Sequence, residues 1–301
     1  MAGYAETTPV REAPLATRVV AVPPQAYFVG SAVFHYLGPS FAVLLFARVD
    51  VLGVAWLRIA SAAAIFAVWR RPWRKFAKLD RSGRLLIVGL GVVFAAMNAC
   101  FYLAIDKLPL ATVAAIEFIG PILLAALGAR VARNGAAVAA AASGVFLLTH
   151  VRFAGQPSGV AFAFANAALF TAYIVLAHRV ARRPVIGGVN GLAMAMLFAF
   201  VFVSPIGLAG AAHAFTDPVA LAAGVGVGVS SSVIPYVFDQ LAMARLPRAT
   251  YALFVALLPA TATVIGVVVL QQLPTAVELA GIALVMTGVA LHRSDATPHS
   301  G

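Results

Sequence analysis

The chain has 301 residues, of which 62% are hydrophobic and only 10% charged, and it carries a net charge of +11. A soluble domain carries about 25% charged residues, so this balance excludes a water-soluble globular protein and leaves an integral membrane protein. The positive excess does not argue for nucleic acid, because the basic residues fall in the connections between apolar runs instead of gathering on one soluble face.

Residues 1–24 hold Pro9, Pro14, Pro23 and Pro24 among Glu6, Arg11, Glu12 and Arg18, and read as a short disordered cytoplasmic tail. No short apolar core with a small-residue cleavage site follows, so the tail is not read as a secretory signal. Apolar stretches then run at 25–46, 51–70, 84–105, 110–128 and 134–150, each bounded by charged or Pro/Gly-rich punctuation. A polar link, Val151 to Gly159, precedes five more at 158–178, 186–207, 217–243, 249–270 and 274–292. The expectation is an all-α polytopic membrane protein with ten transmembrane helices. Its first five-helix unit covers 25–150, a linker 151–157, the second unit 158–292, and a cytoplasmic tail 293–301. In alternate connections, one side receives only Arg48, Lys107 and Arg152. Arg58 lies inside span two, and the other 17 of the 21 Lys and Arg residues fall on the opposite side. The positive-inside rule then puts both termini in the cytoplasm.

Within the spans the polar residues are few. His35, in span one, either carries protons near neutral pH or packs as a neutral imidazole. Arg58, in span two, either binds a carboxylate or snorkels to the outer interface. Asn98 and Tyr102 lie one turn apart on span three and offer polar groups to one neighbour. Span four, Leu110 to Gly128, is about nineteen apolar residues broken by one carboxylate, Glu117, and is long enough to cross a hydrocarbon layer of roughly 30 Å. An acid at that depth costs on the order of 2.5 kcal/mol or more, so it must be paired, protonated or turned to a watery cavity. Glu117 and Arg58 sit at similar depth, which predicts an ion pair that a substrate or proton would compete for. The bland alternative for Glu117 is a structural acid neutralised by an arginine in helix packing. Gly120 and Pro121 weaken the helix beside it, marking a hinge.

Asn166 and Tyr173 on span six are turn-spaced polar residues of a kind common in buried bundles. Span eight carries Gly224, Gly226, Gly228, Ser230, Ser231, Ser232, Pro235, Tyr236 and Asp239. Its glycines suit close helix packing, and its serines either face substrate or bond back to the preceding turn. Pro235 is a second hinge, and Asp239 is an interfacial acid or a gate latch.

The two halves repeat. Residues 104–121 and 242–259 superpose at an offset of 138, matching Ala104, Lys107, Leu108, Pro109, Ala111, Thr112 and Pro121 to Ala242, Arg245, Leu246, Pro247, Ala249, Thr250 and Pro259. Because each half has an odd number of spans, the second lies upside down relative to the first. Inverted repeats around a mid-membrane site are a recurrent transporter architecture, with Pro121 and Pro259 as paired hinges.

Residues 97–127 and 231–266, with "EF-x-GP" at Glu117 to Pro121 and "PY-x-x-[acid]" at Pro235 to Asp239 as the most specific parts, resemble the threonine/homoserine exporter family of the EamA-type branch of the drug/metabolite transporter superfamily. The resemblance spans roughly residues 26 to 292. It implies ten helices, two inverted five-helix repeats around a central cavity, cytoplasmic termini in the inner membrane, and proton-linked efflux of small metabolites. The substrate and proton-binding set expected on these grounds is His35, Arg58, Asn98, Tyr102, Glu117, Ser231, Tyr236 and Asp239. A zwitterionic amino acid suits it, with its carboxylate on Arg58 and its ammonium on Glu117.

No HExxH, GxSxG or Walker GxxxxGK[ST] occurs, the six histidines are scattered, and Cys100 is the only cysteine. No enzyme activity, cofactor, metal or nucleotide is therefore expected. The expected partners are a small-molecule substrate, protons and the bilayer, with monomer and homodimer both open. Alternatives are a broad-specificity drug or metabolite exporter, a passive channel, or an intramembrane enzyme.

Overall fold

A computed structural model describes residues 23–128, 132–153, 155–181, 183, 186, 188–243 and 257–291. The two tails, the whole 244–256 segment with Arg245, Leu246, Pro247, Ala249 and Thr250 of the repeat, and Arg130 lie outside these residues. Among the described residues every regular element is helical. The helices are α1 (Pro24–Leu45), α2 (Val51–Arg70), a one-turn α3 (Trp73–Phe76), α4 (Arg81–Ile105), α5 (Leu110–Glu117), α6 (Ile119–Gly128) and α7 (Ala132–Phe153). They continue as α8 (Pro157–Ala181), α9 (Gly188–Ala211), α10 (Pro218–Gly228), α11 (Ile234–Met243), α12 (Leu258–Leu270) and α13 (Ala276–Leu291). Six segments are long and apolar enough to cross a membrane, starting at Gln25, Val51, Arg81, Pro157, Val189 and Pro218, and four shorter apolar helices accompany them. The protein is thus a multi-pass membrane protein.

Aspartates start three of the long segments. Asp50 accepts from the N–H groups of Leu52 and Gly53, Asp80 from Gly83, and Asp217 from Val219 and Ala220. Each satisfies donors that the first turn leaves orphaned. Asp217 also takes a 3.1 Å ion pair from Arg48, tying the end of α1 to the start of α10. The backbone N–H of Ala220, helped by Arg48, holds its carboxyl below the usual range, so the cap persists above ordinary carboxylate pH and is lost only as pH falls through that lowered value. Asp50→Ala is expected to remove about 1 kcal/mol from the folded protein, read as a lower thermal midpoint in detergent with transport otherwise intact.

Two spans are interrupted, and proline explains both. Pro121 lacks the N–H that would bond the carbonyl of Glu117 four residues earlier, so α5 ends at Glu117. Phe118 turns back to Ala115, and the ladder resumes with Ile122 N–H on Phe118. Pro235 stands in the same relation to Ser231, and residues Val229–Val233 form a π-helical turn between α10 and α11. The sequence predicted each as one weakened span; each is two half-helices meeting at a candidate site residue. In contrast, Pro205 is absorbed inside α9, which runs past the expected end at 207 to Ala211.

The packing partners are reciprocal. α2 lies against α9, α7 against α13 and α5 against α12, while α4 contacts α8 and α9, α1 contacts α10 and α11, and α2 contacts α10. α8 also meets α5 and α6, as α1 meets α12. The largest core cluster joins residues from both halves, with Tyr36, Phe66, Phe94 and Tyr102 almost fully enclosed. At the ends beyond α4 and α12, the Leu110 N–H donates to Gln272 Oε1 at 3.0 Å. There a cavity of about 250 Å³ lies between α5, α12 and α13, lined by Thr112, Thr263 and Glu278 among others.

Candidate functional site

The site forms where the two half-helix breaks meet α1, α2, α4 and α8. Pro235 frees the carbonyl of Ser231, and Arg58 of α2 takes it: Nη2 donates to Ser231 O at 3.2 Å, while Nε donates to Ser232 Oγ at 3.0 Å. The guanidinium carbon stands 5.5 Å from the centre of the Tyr102 ring, a cation–π contact that shields one face of the charge. Arg58 is 8% exposed, so snorkelling to the interface is excluded. The helices approach closely enough for this because glycine faces α2: a side chain at Gly228 would strike Ser61, and would meet the Arg58 carbonyl at 2.8 Å. The three serines divide their roles. Ser230 bonds back to Gly226 at 2.7 Å, Ser232 receives Arg58, and Ser231 Oγ stands beside the Tyr102 hydroxyl without a well-formed bond.

Glu117, at the broken end of α5, is 7% exposed and faces protein rather than lipid. Asn166 of α8 donates from Nδ2 to Glu117 Oε1 at 3.2 Å. α6 is drawn onto the same helix by Gly120, where a side chain would strike Thr171 and come within 2.8 Å of the Ala167 carbonyl. The expected ion pair between Glu117 and Arg58 is not formed. Arg58 acts on Glu117 and on His35 electrostatically without touching either, because the freed carbonyl and hydroxyl of the π turn are nearer acceptors. The two charges therefore stand close but unpaired with each other.

The remaining predicted residues fall around this centre. His35 lies on α1 beside Tyr36, ring centres 5.4 Å apart, and four residues before Pro39. Asn98 donates to the Ala55 carbonyl at 3.2 Å. Tyr236 belongs to an aromatic group with Phe94 and, through Phe94, Tyr173 and Phe170. Asp239 lies further along α11 and accepts from Ser31 Oγ of α1, whose hydroxyl also reaches the Pro235 carbonyl at 3.2 Å. That contact joins α1 to α11 and sets Asp239 apart from Glu117. Pro259 is buried in the first turn of α12; the residue whose carbonyl it would free, four earlier, lies outside the described residues.

Five buried side-chain polar atoms lack a hydrogen-bond partner among the described residues, and four of them are Asn98 Oδ1, Tyr102 OH, Asn166 Oδ1 and Ser231 Oγ. Native interiors leave few such atoms, and here they concentrate around two unpaired charges. The arrangement supplies a cation, an anion and several unspent donors and acceptors, the chemistry that receives a small polar zwitterion. The sequence alone places Asn166 among the ordinary polar residues of a buried bundle, because one amide on an apolar helix names no partner.

Comparison with known proteins agrees in kind. A model of the EamA-like transporter family matches residues 157–293. The chain is 30% identical over 257 residues to the threonine/homoserine exporter RhtA of Salmonella typhimurium and to that of Escherichia coli K12, covering 83% of this chain and 84% of theirs. A chain of a solved crystal structure is similar in fold with a TM-score of 0.55 at 19% identity, covering 89% of this chain and 97% of that one.

Proposed function

The chain belongs to the EamA-like transporter family, and from that premise we propose that it is a secondary active exporter of small amino acids such as threonine or homoserine, working by proton antiport and alternating access. The observation that carries this reading is Glu117, buried at a helix break, near but unpaired with the equally buried Arg58. The substrate's carboxylate meets Arg58, and its ammonium meets Glu117. A proton arriving from outside displaces the ammonium, and loss of that proton inside readies the acid for the next substrate.

Alternating access is proposed to rest on two inverted five-helix repeats, 25–150 and 158–292. Exchanging the halves maps α4 on α8 onto α1 on α10 and α11, maps α4 on α9 onto α2 on α10, and leaves the α2–α9, α5–α12 and α7–α13 contacts unchanged, as an in-plane pseudo-two-fold axis requires. The termini are assigned to the cytoplasmic face of the inner membrane, with Arg70, Arg71, Arg74, Lys75 and Lys78 clustered at one end of the bundle. The aromatic group of Phe94, Phe170, Tyr173 and Tyr236 supports a second reading, a broader-specificity exporter whose substrates are larger and less polar.

Purified protein in proteoliposomes with an imposed pH gradient, tested against a panel of amino acids and apolar drugs, separates the two. Threonine and homoserine are expected to accumulate against their gradient at least about tenfold above the apolar compounds. Equal or better transport of the apolar compounds would favour the second reading.

A further inference from the structure

Resting on that reading of Glu117 as a shared site for proton and ammonium, we propose that Asn166 is the positioning residue that makes the two mutually exclusive, and that it restricts substrates to those bearing a primary ammonium. Asn166 is fully buried, its Nδ2 donates to Glu117 Oε1 at 3.2 Å, and its Oδ1 has no partner. It is the only hydrogen-bond partner of the Glu117 carboxyl among the described residues. A carboxyl group accepts when ionised and donates when protonated, whereas an amide donates from one end and accepts at the other.

The ionised acid therefore holds the amide nitrogen, and Oδ1 is left as a second acceptor beside the carboxylate. An ammonium with three N–H donors fits that pair of acceptors. When Glu117 takes up a proton, its O–H is best received by the amide oxygen, and half a turn about the outermost torsion of the asparagine provides it. That torsion is broad and two-fold, so no helix has to move. The turned amide then presents N–H groups where Oδ1 had been, and they oppose an ammonium. One proton thus withdraws two acceptors.

Other groups near Glu117 keep their own tasks. Arg58 of α2, Tyr36 of α1 and Tyr236 of α11 act on it electrostatically. Tyr102 of α4 is turned to Arg58, Glu278 of α13 bonds Thr275, and α6 and α12 carry no titratable side chain.

The test is equilibrium binding of radiolabelled threonine to the detergent-solubilised protein across the pH range, for wild type and Asn166→Leu. Wild type is expected to show a tight alkaline plateau and a weak acidic one. Asn166→Leu is expected to weaken the alkaline plateau by about tenfold or more, the size of one charge-assisted hydrogen bond, and to leave the acidic plateau unchanged or tighter, since the opposing N–H groups are gone. Equal weakening of both plateaus, or no change, would mean a structural amide and overturn the proposal. Should the variant not fold, N,N-dimethylthreonine on wild type asks the same question, since its ammonium keeps one N–H. It is expected to bind about tenfold or more weaker than threonine on the alkaline plateau alone, and binding as tight as threonine would overturn the proposal. Absence of amino-acid binding by wild type at every pH would instead overturn the proposed function together with this inference.

Discussion

Glu117→Gln is expected to abolish pH-gradient-driven export while the protein still inserts and folds. Glutamine is nearly isosteric with the acid, and its amide oxygen can still receive Asn166 Nδ2 as Glu117 Oε1 does at 3.2 Å, so the contact between α5 and α8 survives. What disappears is the group proposed to bind a proton and a substrate cation in alternation. Placing an ionised carboxylate at mid-membrane costs about 2.5–3.5 kcal/mol, so the variant should be at least as stable as wild type while gradient-driven accumulation falls to the level of empty vesicles. Thermal midpoint and accumulation measured on the same preparation check both halves of the expectation. Full coupled transport by the variant would remove Glu117 from the mechanism.

Arg58→Ala is expected to raise the apparent KM for carboxylate-bearing substrates by about a hundredfold, since a desolvated, hydrogen-bonded charge partner contributes roughly 2–5 kcal/mol to the contact it makes. The same change releases Ser231 O and Ser232 Oγ and uncovers the Tyr102 ring, so some loss of stability accompanies it. A comparison of substrates isolates the binding effect: threonine should suffer and its decarboxylated amine should not. Arg58→Lys keeps the charge but not the forked pair of bonds, and should fall between. Equal KM values for threonine in wild type and Arg58→Ala would leave Arg58 as a purely structural tie between α2 and the π turn.

The centre of this site was legible in the sequence because lone polar residues in apolar spans announce themselves. Glu117 and Arg58 stand out on that ground, Tyr102 as the turn-spaced partner of Asn98 and Ser231 only as one of a run of three, and the structure gathers them. The glycine and proline beside Glu117 were read as a weakness, and the break at Phe118 follows directly from the missing N–H of Pro121. Three candidate residues stand four positions before a proline: His35 before Pro39, Glu117 before Pro121 and Ser231 before Pro235. Each proline strips a carbonyl of its helical partner at the depth of the site.

Azimuth was not legible. Similar depth suggested that Arg58 and Glu117 would pair, but depth does not say which way a side chain leaves its helix. Pro235 had already created a carbonyl acceptor at Ser231, one residue from a hydroxyl at Ser232, and Arg58 took both. Asn166 shows the same limit from the other side, since only the packing of α8 on α5 reveals which carboxylate its amide meets. The serine run likewise offered two roles for each hydroxyl, and only the π turn distributes them.

The most direct test of the account is proton movement driven by substrate alone. In proteoliposomes at equal pH on both sides, carrying a pH-sensitive dye, an imposed threonine gradient should move protons in the direction opposite to threonine in wild type and move none in Glu117→Gln. Threonine flux through wild type with no change in internal pH, or an undiminished pH change in the variant, would contradict it.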